Sequence, residues 1–229
     1  MRETLLGLLL SLPAFFLAIS VHESAHGYMA YKMGDPTAKY MGRLTLNPIA
    51  HFDLVGGLCL LLFHFGWAKP VPINPQNFKN RKKGIILVSL AGPVSNIIFA
   101  IVSALVLAVS GKLMGISDVN FLFNVSAYLL GNGLTQMSGV VVLLPMLYYC
   151  VILNIGLAVF NLIPIPPLDG SKILLELLPY KARDFFYSIE RYSMIIMLVV
   201  IYTGILNPVL SVLQNGLFML VKLVISPLF

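Results

Sequence analysis

His22-Glu23-Ser24-Ala25-His26 lies inside an apolar segment that runs from Leu5 to Tyr31. On an α-helix, residues four apart share a face about one turn apart, so both imidazoles can reach one zinc ion. Glu23 sits about 100° round the helix from His22. There a carboxylate can hydrogen-bond a metal-held water without occupying a coordination position, as a general base does in metal-dependent hydrolysis. The same pattern also arises on solvated helix faces, where it carries no chemistry. The setting argues otherwise: on insertion scales an ionisable group near the middle of a membrane helix costs roughly 2.5–3.5 kcal/mol, so three in one apolar span require a functional reason.

The rest of the chain agrees with a membrane setting. Of 229 residues, 59% are hydrophobic and 10% are charged, with a mean hydropathy of +0.91; a soluble domain is nearer one quarter charged. An all-α polytopic membrane protein is expected. The net charge of +6 would suit nucleic acid, but the basic residues sit in the connections between apolar spans, where they read as orientation signals. Nucleic acid is therefore not an expected partner, and the lipid bilayer is. Cys59 and Cys150 lie in apolar surroundings and read as small buried hydrophobes. Arg2 precedes an apolar run, as in a signal peptide, but a removable leader would not carry the motif within its own span, so a retained helix is expected. The spans and their short connections use up the length. One membrane-embedded domain over 1–229 is expected, with a core at about 5–178, accessory C-terminal helices at about 184–226, and no appended soluble domain.

Taken in order, the first span covers about Leu5 to Tyr31, exceeding the roughly 20 residues a bilayer requires. Pro13 kinks it or starts its main part, and Met33-Gly34-Asp35-Pro36 ends it. From Tyr40 to Asn47, Arg43 and Thr45 alternate with Leu44 and Leu46, a short strand pattern whose edge could pair with an extended substrate. Leu54 to Trp67 is an apolar run too short for a span and suits a re-entrant segment. Lys69 to Lys83 is a connection. Gly84 to Ser110 is a second span, in which Gly92 would let another helix approach closely. Ser138 to Ile163 is a third and carries Asn154 and Asn161 on one face. After the interruption Pro164-Ile165-Pro166-Pro167 comes a short helix to about Leu178. Phe186 to Leu206 and Pro208 to Ile225 make two final spans.

Charge tests this order. Lys32, Lys39, Arg43, Lys69, Lys79, Arg81, Lys82 and Lys83 fall between the first two spans, whereas Lys112 alone falls between the second and third. After the third come Lys172, Lys181, Arg183 and Arg191. The positive-inside rule puts the first and third connections in the cytoplasm and the N-terminus outside. The ends of the first and third spans then share the cytoplasmic side, so Asp169 can meet His22 and His26.

A catalytic zinc usually takes three protein ligands and leaves one position for water, and Asp169 is the best third ligand. It follows a broken stretch that membranes tolerate only where it is packed in protein or lines a wet cavity. The plainer alternative is a turn in which Asp169 caps the next helix. At this point the chain resembles the site-two protease family of intramembrane zinc metalloproteases. The resemblance rests on His22-Glu23-Ser24-Ala25-His26, on Ala91-Gly92-Pro93 with Asn96, and on Phe160-Asn161-Leu162-Ile163-Pro164 running into Pro167-Leu168-Asp169-Gly170. Leu46-Asn47-Pro48 to Asp53 and Gly66-Trp67-Ala68-Lys69-Pro70 resemble a compact subgroup without PDZ or cystathionine-β-synthase domains.

What the resemblance implies is one Zn²⁺ per chain held by His22, His26 and Asp169, with Glu23 as general base and Asn161 contacting the substrate or the developing oxyanion. It also implies membrane-spanning protein substrates, a multi-pass place in a bacterial or archaeal cell membrane, and an active site toward the cytoplasm. The oligomeric state is left open. A zinc transporter or channel is the main alternative, but it would need a polar path to the opposite side, and the first span offers only Ser11 and Ser20 before His22. A structural zinc site would need a fourth ligand, for which His51 is the nearby candidate. His51 and Asp53 read as a hydrogen-bonded pair at the interface, and His64 as a buried imidazole with its needs met.

Overall fold

The computed structural model describes the backbone of residues 2–63, 66–131 and 139–229, and all of their side chains except those of 2–10, 60–63, 127–131, 139–142 and 180. His64 lies outside the described residues. Eleven α-helices form among the described residues: α1 (Arg2–Met33), α2 (Thr37–Tyr40), α3 (Pro48–His51), α4 (Leu54–Phe63), α5 (Arg81–Leu113), α6 (Val119–Gly131), α7 (Gly139–Asn161), α8 (Asp169–Leu177), α9 (Tyr180–Glu190), α10 (Ser193–Thr203) and α11 (Asn207–Ile225). The all-α membrane architecture expected from composition is what the chain adopts. Residues Arg81–Leu113, Leu143–Asn161 and Asn207–Leu228 are each long and apolar enough to cross a bilayer. The 32 residues of α1 rise about 48 Å, more than the roughly 30 Å hydrocarbon core, and the helix continues through Pro13. The ten residues of α4 rise only about 15 Å, so α4 alone does not cross.

Two expectations are corrected. No β-strand occurs among the described residues, and Tyr40 to Asn47 does not form one. The Asp35 carboxylate accepts from the Thr37 amide and hydroxyl, which starts a helical turn that absorbs Tyr40. Gly42, at φ +66, then turns the chain, leaving only Arg43–Asn47 extended. The predicted span Phe186 to Leu206 is also not one helix: α9 and α10 meet at a 75° bend. The break falls at Arg191-Tyr192, where neither Gly nor Pro signals it.

The chain folds into two compact units. The first takes Met1–Ala18, Asn96–Leu157 and Ser211–Phe229. Its core is built on Ala100, Ala104, Leu107 and Ala108 of α5 against Leu122, Leu144, Val151 and Val221. Residues four apart on α5 supply the small side chains that let helices approach. Within this unit a polar pair ties three helices: the Asn96 amide donates to Asn154 Oδ1 at 2.6 Å and to the Ala18 carbonyl at 3.1 Å, and Asn154 donates to the Cys150 carbonyl. All of these amides are fully buried, so the pairing answers the desolvation each would otherwise suffer. The second unit takes Ile19–Ser95 and Ala158–Leu210, with one small core around Ala30, Phe78 and Val88 and another around Ile163, Leu168 and Met197. It contains every residue of the site.

Candidate metal centre

Within the second unit, His22 and His26 face α5 from adjacent turns of α1. Asp169 reaches them from the first turn of α8, in which Leu168 occupies the capping position and makes no side-chain capping bond. Asp169 is therefore not a helix cap: its Oδ2 lies 3.2 Å from His22 Nε2 and 3.1 Å from His26 Nε2. The two Nε2 atoms are 3.0 Å apart. Among the described residues these three form the one group of His, Cys, Asp or Glu side chains able to hold a metal ion. All three are buried.

The triangle fits a metal better than it fits hydrogen bonds alone. His26 Nδ1 lies 2.7 Å from the Val88 carbonyl, which can only accept, so Nδ1 carries a proton and neutral His26 presents its Nε2 lone pair to the cluster. A carboxylate oxygen and a second imidazole nitrogen face that lone pair. With His22 in the same tautomer, three lone-pair-bearing atoms converge on one point, and a cation would answer all of them. For zinc bonds of about 2.0–2.1 Å, tetrahedral ligand atoms lie roughly 3.3–3.4 Å apart, close to the edges found here.

The surrounding backbone is shaped to allow this. A Cβ on Gly92 would lie 2.5 Å from His26 Nε2 and 2.6 Å from His22 Cε1, so only glycine lets α5 pass beside the rings. A Cβ on Gly170 would fall 2.2 Å from the Leu162 carbonyl. The end of α7 and the start of α8 therefore touch backbone to backbone, which swings Asp169 inward after the proline interruption. Lys172 Nζ lies 3.0 Å from Asp169 Oδ1, leaving Oδ2 alone toward the histidines.

Glu23 is partly buried, and its Oε2 accepts the Val71 amide at 3.0 Å. Val71 belongs to an extended strap, Lys69–Val71, which is held by several contacts. The Lys69 amide donates to the His51 carbonyl, and Arg43 donates through one terminal nitrogen to the carbonyls of Lys69 (2.8 Å) and Pro70 (3.3 Å). The extended Arg43–Asn47 stretch is also engaged with α1. The Thr45 carbonyl accepts from Ser24 Oγ and lies 2.8 Å from His51 Nε2, so this acceptor of the supposed strand edge is already used.

Of the residues singled out in the sequence, His22, His26 and Asp169 are brought together, with Glu23 on the adjoining turn. Asn161 is the last residue of α7 and is partly buried. His51 does not join the metal group, since its Nε2 is turned to Thr45. Nor does it pair with Asp53, which instead accepts the Gly56 amide at the start of α4. A pair was expected because both lie near the strand-like region on the side of the metal; instead His51 closes α3 with its ring turned back to Thr45, while Asp53 turns forward to cap α4. Asn154 makes the interhelical bond described above. Sequence reasoning gave Arg43, Lys172 and Val71 no role at the site, because the two cations read equally well as orientation signals and a backbone amide has no side-chain signature.

The family model for peptidase family M50 matches residues 11–204. The chain is 38% identical over 216 residues to "Putative zinc metalloprotease YwhC" of Bacillus subtilis (strain 168), an alignment covering 93% of this chain and 90% of that protein. It is 25% identical over 205 residues to "Putative zinc metalloprotease Rip2" of Mycolicibacterium smegmatis (strain ATCC 700084 / mc(2)155), covering 87% of this chain and 69% of that protein. No solved structure matches the chain.

Proposed function

This chain belongs to peptidase family M50, the site-two proteases, and we propose that it is an intramembrane zinc metalloprotease that hydrolyses peptide bonds of membrane-spanning substrate proteins. The observation that carries this reading is the convergence of His22, His26 and Asp169 in a buried triangle of zinc-like dimensions. His22 Nε2, His26 Nε2 and Asp169 Oδ2 would hold one zinc ion. When bound, zinc would supply a Lewis acid that lowers the pKa of water to about 7.

The chain's own groups do the rest. The Val71 amide holds Glu23 Oε2, which leaves the other carboxylate oxygen to take a proton from the attacking water. Glu23 then returns that proton to the amine nitrogen as the C–N bond breaks. Asn161, at the end of α7, would donate its side-chain amide to the oxygen that gains charge in the tetrahedral state. Lys172 fixes Asp169 Oδ1 and so keeps the carboxylate turned. A substrate helix conceals its amide bonds in its own hydrogen-bond ladder and must be locally extended before attack. The charge distribution supports an active site facing the cytoplasmic side of a bacterial membrane.

The test uses purified protein and single-span substrates, with and without a zinc chelator, beside a Glu23→Gln variant. Cleavage is expected only in the untreated wild type, and Glu23→Gln is expected to retain wild-type zinc content. Cleavage that persists in the chelator would remove the metal from the mechanism, and cleavage by Glu23→Gln would remove the general base.

A further inference from the structure

Arg43 is a buried guanidinium with no acidic partner within ion-pair distance among the described residues. A desolvated cation of this kind is costly unless its donors are used. One terminal nitrogen holds the two successive carbonyls of Lys69 and Pro70, while its Nε–H finds no acceptor among the described residues. The Pro70 carbonyl and the Val71 N–H belong to one peptide unit and point to opposite sides of it. Arg43 therefore grips one side of that plane, and Glu23 accepts from the other at 3.0 Å.

We propose that Arg43 is a positioning residue for hydrolysis, acting on Glu23 through the Lys69–Val71 strap and the Pro70–Val71 peptide. The inference rests on Glu23 being the general base. Two properties of the linkage give it force. The planar guanidinium presents the two N–H donors of that terminal nitrogen in fixed directions, whereas an ammonium on a flexible stem presents rotating ones. A peptide whose carbonyl accepts from a cation also becomes a better donor at its N–H, so the hold on Glu23 is strengthened as well as aimed. Carboxylate aim matters because displacements of about 1 Å in a reacting group can cost about 100-fold in rate.

The experiment measures kcat, KM and zinc content for Arg43→Met, Val71→Pro and the double variant on a single-span substrate, with Glu23→Gln in parallel. Val71→Pro removes the donating N–H and leaves Arg43 in place. Each single variant is expected to lose about 10- to 100-fold in kcat, with KM and zinc content unchanged. The double variant is expected to fall within about twofold of Val71→Pro, because both act through one peptide. Arg43→Lys, which keeps the charge and a donor nitrogen but loses the fixed planar geometry, should recover part of the loss. A zinc-loaded Arg43→Met with wild-type kcat, or losses that multiply in the double variant, would overturn the proposal. If Arg43→Met and Val71→Pro both fail to bind zinc, Arg43→Lys is decisive: a kcat loss at constant KM supports the linkage and a wild-type kcat overturns it. Should Glu23→Gln itself cleave, the underlying reading fails, whatever Arg43 does. If Glu23→Gln is inactive while Arg43→Met is normal, only the linkage fails.

Discussion

A Cβ on Gly92 would sit well inside van der Waals distance of both imidazole rings, and its neighbours there are stiff rings rather than the ends of flexible chains. In Gly92→Ala, either the rings rotate away from Asp169 or α5 withdraws. Both disperse the ligand triangle, and a loss of metal affinity of about 10- to 100-fold is expected, the scale seen when groups that orient metal ligands are removed. Competition with a chromogenic zinc chelator measures it, and wild-type affinity would show that the rings do not lie against α5. Alanine is the better helix former by about 1 kcal/mol, so weakened helix propensity cannot account for the expected loss. At this scale the meeting of His22 and His26 was legible because metal chemistry ties residue types to helical spacing, and Glu23 lies on the adjoining turn. Asp169 was legible because an acid after three prolines in an apolar chain is hard to explain otherwise. Gly92 was read as permitting close approach, which is correct, but what approaches is a pair of histidine rings. Arg43 could not be read, since nothing about a cation in a polar connection distinguishes a grip on two carbonyls from a topological signal.

Elements in the second unit are joined by polar contacts as well as by apolar cores, and Asp35 shows how. Fully buried, it follows the end of α1 and accepts from the Thr37 amide and hydroxyl at the start of α2, from the Asn74 amide at 2.7 Å and from the Asn77 side chain at 2.8 Å. Burial pushes its carboxyl pKa up, but the hydrogen bonds from Thr37, Asn74 and Asn77 outweigh burial and hold it below the usual carboxylate value. A carboxyl whose folded pKa is depressed binds its proton more readily in the unfolded chain. Its stabilisation is therefore present above the ordinary Asp value, near 3.9, and is lost as pH falls through the lower folded value. Asp35→Asn turns an amide donor toward groups that need an acceptor, and is expected to cost about 1–3 kcal/mol at neutral pH. The gap in melting temperature between wild type and variant should narrow below about pH 4; a gap that widens in acid would contradict the depressed carboxyl. The same residue explains why the alternation from Tyr40 onward was misread. The period-2 pattern describes side chains alone, whereas the local backbone is decided by an acid five residues earlier and by a glycine at positive φ.

Across the whole molecule, the usual guide to inside and outside fails, because both are apolar. In the first unit Ile98, Val102, Val106 and Val109 are exposed along one side of α5, while Ala100, Ala104, Leu107 and Ala108 are buried on the other. Lipid tails solvate a valine about as well as a protein interior does, so burial in the membrane discriminates by packing rather than by hydrophobicity. This is why apolar stretches could be located from composition, although the break inside Phe186 to Leu206 could not, and why their buried faces could not be assigned from it. The two faces are expected to respond oppositely to the same kinds of change. Ala104→Leu adds three carbons where the α5 backbone approaches its neighbours and is expected to destabilise by about 1–3 kcal/mol through overpacking. Ile98→Leu adds nothing to an interior and is expected to leave the melting temperature unchanged. Ile98→Lys is expected to be tolerated in detergent, where the ammonium finds water, but to lower membrane insertion, because a cation near the bilayer centre costs roughly 2.5–3.5 kcal/mol on insertion scales. Melting curves in micelles and an insertion assay in membranes separate these effects. Equal sensitivity of Ala104 and Ile98 to leucine would show that the exposed stripe of α5 is covered by protein and does not face lipid.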